Sequence, residues 1–441
     1  MEKNLTALVQ EAGIVGAGGA GFPSHVKYNA KAEYVIINGA ECEPLLRVDQ
    51  QLMAYETNKI LQALQLIVDH VGASAGYIAL KRKYHDAEKA FCKHINNYPK
   101  CRLHFLDNFY PAGDEQVIVY EVTKRIVPEG GLPLNVGVIV LNVETALNVY
   151  EAYINKKPVT EKYLTVTGEV ANQITVKVPL GITVKEAIDL AGGATVNDYK
   201  VINGGPMMGK LISTEDVITK TVKGLIVLPE NHSLITSLTK DVSSMMREAK
   251  TACMHCSLCT EVCPRGLLGH RIEPHKLIRI PSYGNVCDSN TNAINAFLCC
   301  GCRLCEYACI QNLQPWKMNA ILKNELLNQG VRNNLHLQPD KAAMFREYKK
   351  YPVNKLISKL GLTKYDKPAP LIVSEKAFKK VTLPLRQHVG ATSDPVIKEG
   401  DTVNKGDLIA KISEGKLGSN IHASISGTVI SVTSENIRIQ M

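Results

Sequence analysis

Along this chain, runs of apolar, β-branched residues alternate with stretches of helical periodicity. Four runs, at 34–38 (YVIIN), 77–80 (YIAL), 103–106 (LHFL) and 137–143 (GVIVLNV), predict buried strands. Between the first two, Ile60, Leu64, Ile67 and Val71 recur at i, i+4, i+7 and i+11, the spacing of one helix face. Strands alternating with helices predict a largely parallel α/β sheet over residues 1–158. From 159 to 215 the pattern shortens into alternating strands, a turn at 179–181 and a short helix ending at Gly192-Gly193. The loop NGGPMMG (203–209) closes this small α+β module. Residues 240–330 are polar, helical and rich in cysteine, and a charged connector at 331–378 follows. The last stretch, 379–441, has many short strands, glycine turns and two near-duplicate elements, EGDTV and KGDLI, which predict an all-β sandwich. The fold expected is a multidomain α/β chain with an all-β C-terminal module. No period of 20–50 residues points to a solenoid.

Composition narrows the function classes. Of 441 residues, 45% are apolar and 21% charged, as in ordinary globular proteins. The longest apolar stretches, at 136–143 and 224–228, fall far short of the ~18 residues a membrane span needs. The opening MEKNLTALVQEAG has no basic region followed by an apolar core, so no secretory signal is expected. A soluble, cytoplasmic protein is the expectation. The formal charge of +9 does not indicate nucleic acid, because Lys and Arg are scattered and lack an aromatic platform.

The thirteen cysteines are concentrated between 253 and 309, unlike a disulfide framework, and the cytosol keeps thiols reduced. Two runs share one spacing: Cys253-x2-Cys256-x2-Cys259-x3-Cys263-Pro264 and Cys299-x2-Cys302-x2-Cys305-x3-Cys309. A cubane cluster needs four converging thiolates. Two-residue spacers wrap three around one cluster, and the fourth cysteine starts a helix that points to the other. This assigns Cys253, Cys256, Cys259 and Cys309 to one [4Fe–4S] cluster, and Cys299, Cys302, Cys305 and Cys263 to the second. Paired zinc ribbons also use CxxC but do not explain third and fourth cysteines at matching offsets. Ile310 stands where a proline is expected after the second run. Cys42, Cys92, Cys101, Cys287 and Cys300 read as structural, since lone cysteines usually pack as small apolar residues.

Gly16-Ala-Gly-Gly-Ala-Gly21 satisfies GxGxxG but follows a helical segment and precedes Phe22-Pro23, so the dinucleotide-fold context fails. What remains is a loop whose amides can approach a phosphate or ring. With it come GAGGAGFPSHVK (16–27), NGAECEP (38–44), YPAGDEQ (110–116) and NVET (142–145). In this order they resemble the flavin site of the NADH-oxidising subunit of respiratory complex I and of the RnfC family. The resemblance implies FMN in the loop of Gly16, Gly18, Gly19 and Gly21, surrounded by Lys27, Asn38, Glu41, Asn142 and Thr145. It places Gly113, Asp114 and Glu115 beside the ring where a nicotinamide stacks, and Phe22 and Glu43 at positions that help hold NADH. Ala17 stands where the complex I loop usually has arginine.

The likeness covers nearly the whole chain. Residues 159–215 look like a soluble-ligand-binding β-grasp (SLBB) module, 240–330 like a two-[4Fe–4S] ferredoxin-like domain, and 379–441 like the RnfC barrel-sandwich hybrid. That hybrid is N-terminal in RnfC and C-terminal here, an order that resembles the PduS-type cobalamin reductases of propanediol-utilising microcompartments. The resemblance implies an NADH-dependent oxidoreductase delivering electrons to cobalamin, cob(III)/cob(II)alamin to cob(I)alamin. The expected partners are cobalamin, its adenosyltransferase and a microcompartment shell protein, in a bacterial microcompartment. The alternatives are an RnfC-like electron-input subunit and a passive electron conduit at the shell. The cofactor set is coherent by itself, because NADH gives two electrons as a hydride, a cluster accepts one, and a flavin exchanges both. No nucleophile or general base is required. His255, His270 and His275 read as hydrogen-bonding or surface residues rather than cobalt ligands. Lys416 lacks a carrier-domain motif, and the helix bearing Leu5, Leu8 and Val9 reads as packing ahead of the loop rather than as an encapsulation tag.

Overall fold

The computed structural model describes residues 4–282 and 292–441, and Cys287 lies outside the described residues. In the N-terminal domain the apolar runs form strands Tyr34–Gly39, Ala75–Lys81, Cys101–Leu106 and Val138–Asn142. All pair in parallel, with Tyr34–Gly39 between Ala75–Lys81 and Val138–Asn142, and Cys101–Leu106 at the edge. The chain adds two strands on one side of Tyr34–Gly39 and then crosses to the other. Such a reversal opens a crevice at the carboxyl ends of the strands. There the register sets Asn38 directly beside Asn142. Helix Thr57–Val71 buries the expected Ile60, Leu64, Ile67 and Val71 and stops at Gly72, whose φ of +69° a side chain rarely adopts. Helix Leu5–Glu11 buries Leu5, Leu8 and Val9, so its apolar face packs within the domain.

The second module is a six-stranded sheet in the order Leu371–Ile372, Ile174–Pro179, Glu161–Gly168, Gly224–Pro229, Tyr199–Asn203, Lys210–Ile212. It outruns the expected limit of 215. The apolar run Gly224–Pro229 needs cover on both faces, and it obtains this as an interior strand parallel to Glu161–Gly168. The 331–378 stretch is likewise more than a connector. Tyr351–Pro352 pairs with Phe109–Tyr110, helix Val353–Lys359 buries Val353, Leu356 and Ile357, and Leu371–Ile372 extends the second sheet. Short apolar segments within a charged stretch do the packing, and periodicity over so few residues is not legible.

The cysteine-rich region is a set of short helices backed by Val242–Ala252 and Pro315–Asn328. The C-terminal module is all-β, with sheets of four and three strands. It docks on both earlier units: Val389 N–H donates to Gly21 O at 3.0 Å, and Thr382 N–H to Gly181 O at 2.9 Å. Among the described residues no helix is long and apolar enough to cross a membrane.

Candidate flavin and iron–sulfur site

The glycine loop closes on itself, Gly16 N–H donating to Phe22 O at 2.9 Å and Gly21 N–H to Gly16 O at 3.1 Å. No strand leads into it, and the helix that follows, Ser24–Tyr28, has five residues, so this is a free-standing loop. Ala17 is buried within it. The Ala17 N–H donates to Thr145 Oγ1 at 3.0 Å, and its carbonyl accepts from Lys162 Nζ at 2.9 Å. Gly18, Gly19 and Ala20 stand exposed beyond it, and their amides meet no protein acceptor among the described residues. Gly19 has φ +114°, and a Cβ on Gly18 would lie 3.5 Å from the Asn142 Cβ. An exposed row of unpartnered amides, with open space around Gly19, fits an anionic group such as a flavin phosphate.

Around the crevice, Lys27 donates to Val140 O at 2.9 Å and Glu115 Oε1 at 3.0 Å, and its amine lies 6.0 Å from the centre of the Phe22 ring. Asn38 Nδ2 donates to Gly113 O at 2.8 Å. A Cβ on Gly113 would come within 3.2 Å of Cys42 Sγ and 3.3 Å of Asn38 Oδ1, so only glycine fits there without a shift. Asn142 caps helix Val143–Asn155 through its Oδ1, while its Nδ2 donates to both Asp49 oxygens, at 3.1 and 3.0 Å. Thr145 is buried in the same first turn.

The remaining predicted carboxylates turn into the protein. Glu41, at φ +35°, accepts from the backbone N–H of Asp49 and Gln50 at the start of helix Val48–Tyr55. Burial, and then the neighbouring Asp49, raise its pKa. Glu43 accepts from Met207 N–H at 2.9 Å and from the Tyr110 hydroxyl at 3.4 Å, and burial pushes it up to about 7. Gly205 of the NGGPMMG loop leaves Glu43 its space, since a Cβ there would sit 2.0 Å from Oε2. Asp114 caps helix Glu115–Thr123 through Oδ1 and accepts from Arg265 Nη2 at 2.9 Å through Oδ2.

Cys253, Cys256, Cys259 and Cys309 line one cavity together with Met254, His255 and Ile310. Cys263, Cys299, Cys302 and Cys305 form a second, more buried group, mutually close enough to perturb one another electrostatically. Both loops adopt one conformation. His255 and Ser257 have φ of +56° and +60°, and the equivalent Gly301 and Arg303 have +70° and +62°. Two left-handed residues around the second cysteine turn each loop back on itself, as wrapping a cluster requires. The runs differ after the fourth cysteine. Cys263 caps helix Pro264–Leu267, whereas after Cys309 a turn with Asn312 at φ +53° delays the next helix to Pro315. Pro264 opens the helix after the first run, and Ile310 stands at the equivalent position of the second. Among the described residues no three donors converge closely enough for a single metal ion, while a cubane sets its thiolates further apart.

Of the lone cysteines, Cys101 is buried, Cys42 and Cys300 are half-buried, and Cys92 is exposed on helix His85–His94, contrary to the expected burial. His270 Nε2 lies 2.9 Å from Val127 O and His275 Nδ1 2.7 Å from Thr260 Oγ1, both protein contacts.

Six residues of this region escape a reading of the sequence: Asp49, Tyr110, Lys162, Lys223, Arg265 and Arg303. Asp49 is buried and pairs with Lys223, and Lys162 is buried and pairs with Glu144. Tyr110 donates to Cys302 O at 2.9 Å, and Arg303 to Pro206 O at 3.3 Å. The only sequence signal is a lysine placed in or just before an apolar strand, as in EKYLTVTG and KGLIVLP.

Four family profiles match the chain in order: a Nuo51 FMN-binding domain at 9–151, an SLBB domain at 163–211, a 4Fe-4S dicluster domain at 252–314 and an RnfC barrel sandwich hybrid domain at 364–440. The chain is 43% identical over 435 residues to the cobalamin reductase PduS of Citrobacter freundii, covering 98% of this chain and 95% of that protein. Identity to the PduS of Salmonella typhimurium is also 43%, over 433 residues, with the same coverage. One component of the Na(+)-translocating ferredoxin:NAD(+) oxidoreductase complex of Acetobacterium woodii is 37% identical over 265 residues, 59% of this chain and 57% of that one. The chain is an FMN- and [4Fe–4S]-type oxidoreductase, and it belongs to the cobalamin reductase PduS family.

Proposed function

We propose that this chain takes electrons from NADH at its flavin crevice and delivers them, through its two cysteine quartets, to cobalamin. The observation that carries the reading is the direct contact between flavin-side loops and one quartet. Tyr110 donates to the carbonyl of Cys302, and Asp114 holds Arg265, two residues after Cys263. When bound, FMN would convert the two-electron hydride of NADH into single electrons that iron–sulfur clusters can carry.

In this reading the free amides of Gly18 and Gly19, with Gly16 and Gly21 shaping the loop, receive the flavin phosphate. Lys27, Asn38, Asn142 and Thr145 would border its polar chain and ring, Glu41 holds the backbone of Asp49, which orients Asn142, and Gly113, Asp114 and Glu115 would lie beside the ring where a nicotinamide stacks. Phe22 and Glu43 flank that approach. The quartet Cys263, Cys299, Cys302 and Cys305 would hold the cluster nearer the flavin crevice. Cys253, Cys256, Cys259 and Cys309 would hold the cluster nearer the acceptor, because Cys256, Met254 and Ile310 on the lining of that cavity are exposed. Each NADH then reduces two molecules of cob(II)alamin to cob(I)alamin, which an adenosyltransferase consumes. The setting in this reading is a propanediol-utilisation microcompartment.

Anaerobic stopped-flow absorbance tests it, mixing reconstituted protein with NADH and then with cob(II)alamin. Flavin and cluster bleaching followed by the cob(I)alamin band is the expected result. Bleaching without corrinoid reduction would move the chain to an electron-input role for another redox protein, and no bleaching would overturn the NADH assignment.

A further inference from the structure

Two lysines of the β-grasp module enter the N-terminal domain beneath the flavin crevice. Lys162, on strand Glu161–Gly168, is 1% exposed, and among the described residues its amine donates to two groups, the Glu144 carboxylate and the Ala17 carbonyl. Glu144 uses its other oxygen to accept from Tyr163 N–H at 3.0 Å, so the carboxylate is also satisfied. Lys223, just before strand Gly224–Pro229, pairs with Asp49, and Asp49 in turn holds the side-chain amide of Asn142.

Burying an ammonium is costly unless it is paired and hydrogen-bonded, and here each pairing ends on a residue of the crevice. Both backbone groups of Ala17 are fixed, its N–H by Thr145 from its own domain and its carbonyl by Lys162 from the next. With the Ala17 N–H and carbonyl drawn inward, the following amides of Gly18, Gly19 and Ala20 are left facing outward and unpartnered. The Asn142 amide has its orientation set by Asp49, and that carboxylate is held in place by Lys223. Burial acts to lower the Lys223 amine, yet Asp49 and Glu41 beside it carry it above the ordinary lysine value, so it stays charged.

We propose that Lys162 and Lys223 are positioning residues for the flavin, and that the β-grasp module is thereby the third wall of the FMN site rather than a spacer between flavin and clusters. Lys162, its amine lowered by burial but paired with the Glu144 carboxylate, also stands directly behind Ala17, the position that carries no charged side chain of its own. The inference rests on the FMN assignment of the crevice and adds to it a residue source outside the FMN-binding domain.

The test is the FMN dissociation constant, read by quenching of flavin fluorescence, on full-length protein with its iron content measured in parallel. Lys162→Met and Lys223→Met are each expected to weaken FMN about tenfold or more, the worth of one lost charge-assisted hydrogen bond, with iron content unchanged. Lys177→Met removes an exposed lysine of the same module and is expected to leave FMN affinity as it was. The double variant Glu144→Gln/Lys162→Met removes the stranded carboxylate. It is expected to recover melting temperature relative to Lys162→Met but not FMN affinity, which separates positioning from mere stability. Wild-type affinity in the folded double variant overturns the role of Lys162, and wild-type affinity in folded Lys223→Met overturns that of Lys223. Wild-type protein that binds no FMN overturns the flavin assignment itself.

Discussion

Asp114 divides its carboxylate between two domains, one oxygen capping helix Glu115–Thr123 and the other accepting from Arg265 Nη2 at 2.9 Å. Both side chains are nearly buried, at 13% and 12% exposure, so the pair is shielded from salt and water. Removing the guanidinium in Arg265→Met leaves a buried carboxylate without its counter-charge. Loss of about 3 kcal/mol is expected, measured by urea unfolding of the cluster-loaded protein. Arg265→Lys, keeping the charge but not the planar fork, is expected to restore part of it.

Tyr110 makes the second link, and Tyr110→Phe removes only a hydroxyl. The Cys302 carbonyl then loses a buried donor, at a cost of about 1–3 kcal/mol. In stopped-flow traces, flavin reduction by NADH should keep its wild-type rate while cluster bleaching slows. Equal slowing of both phases would place Tyr110 in nicotinamide binding instead.

The partition of the cysteines makes a stoichiometric prediction. Cys256→Ser should halve iron and acid-labile sulfide and leave the cluster nearest the flavin reducible by NADH. Cys305→Ser should also halve iron, but should block reduction of the cluster that remains. Cys92→Ser, on an exposed helix surface, should change neither.

Acid should loosen the C-terminal module. His388 and His422 are buried there beside Lys220, with no carboxylate among the groups acting on them, and Arg386 adds a further positive charge at His388. Burial first, and Lys220 second, hold His388 down at about 4 and His422 at about 3. The unfolded chain, with histidines near 6.5, therefore binds more protons between these values. The stabilisation is complete above pH 6.5 and is lost as pH falls through the folded pKa values, a few kcal/mol in all, with the larger share from His422. Lys220, lowered by burial to about 7, extends the trend upward, with stability still rising from pH 7 towards the unfolded lysine value. Melting temperature against pH checks this, and His422→Phe should flatten the acid limb.

Much of the fold is legible in the residues. The four strands of the first sheet and the helix bearing Ile60, Leu64, Ile67 and Val71 follow from apolar periodicity, because each buries a face set by its own local sequence. Gly224–Pro229 shows the limit. Its apolar run reads as a strand, but membership of the β-grasp sheet depends on pairing with Glu161–Gly168, some sixty residues earlier. The all-β nature of the last module is local and legible, whereas its docking at Gly21 and Gly181 is not.

The candidate site divides the same way. Spacing alone groups the cysteines, because a short loop wrapping a cluster leaves few arrangements for residues three and four apart. The glycines and the two asparagines stand out because few other side chains suit a left-handed turn, a close approach or a cap at a strand end. Glu41, Glu43 and Asp114 are visible as acids, but only the folded chain shows that they serve a helix start, a neighbouring loop and an arginine of the cluster region. Lys162 and Lys223 carry no local mark of their role. Each is buried against a carboxylate distant in sequence, and packing of two modules, not the sequence around either lysine, brings those groups together.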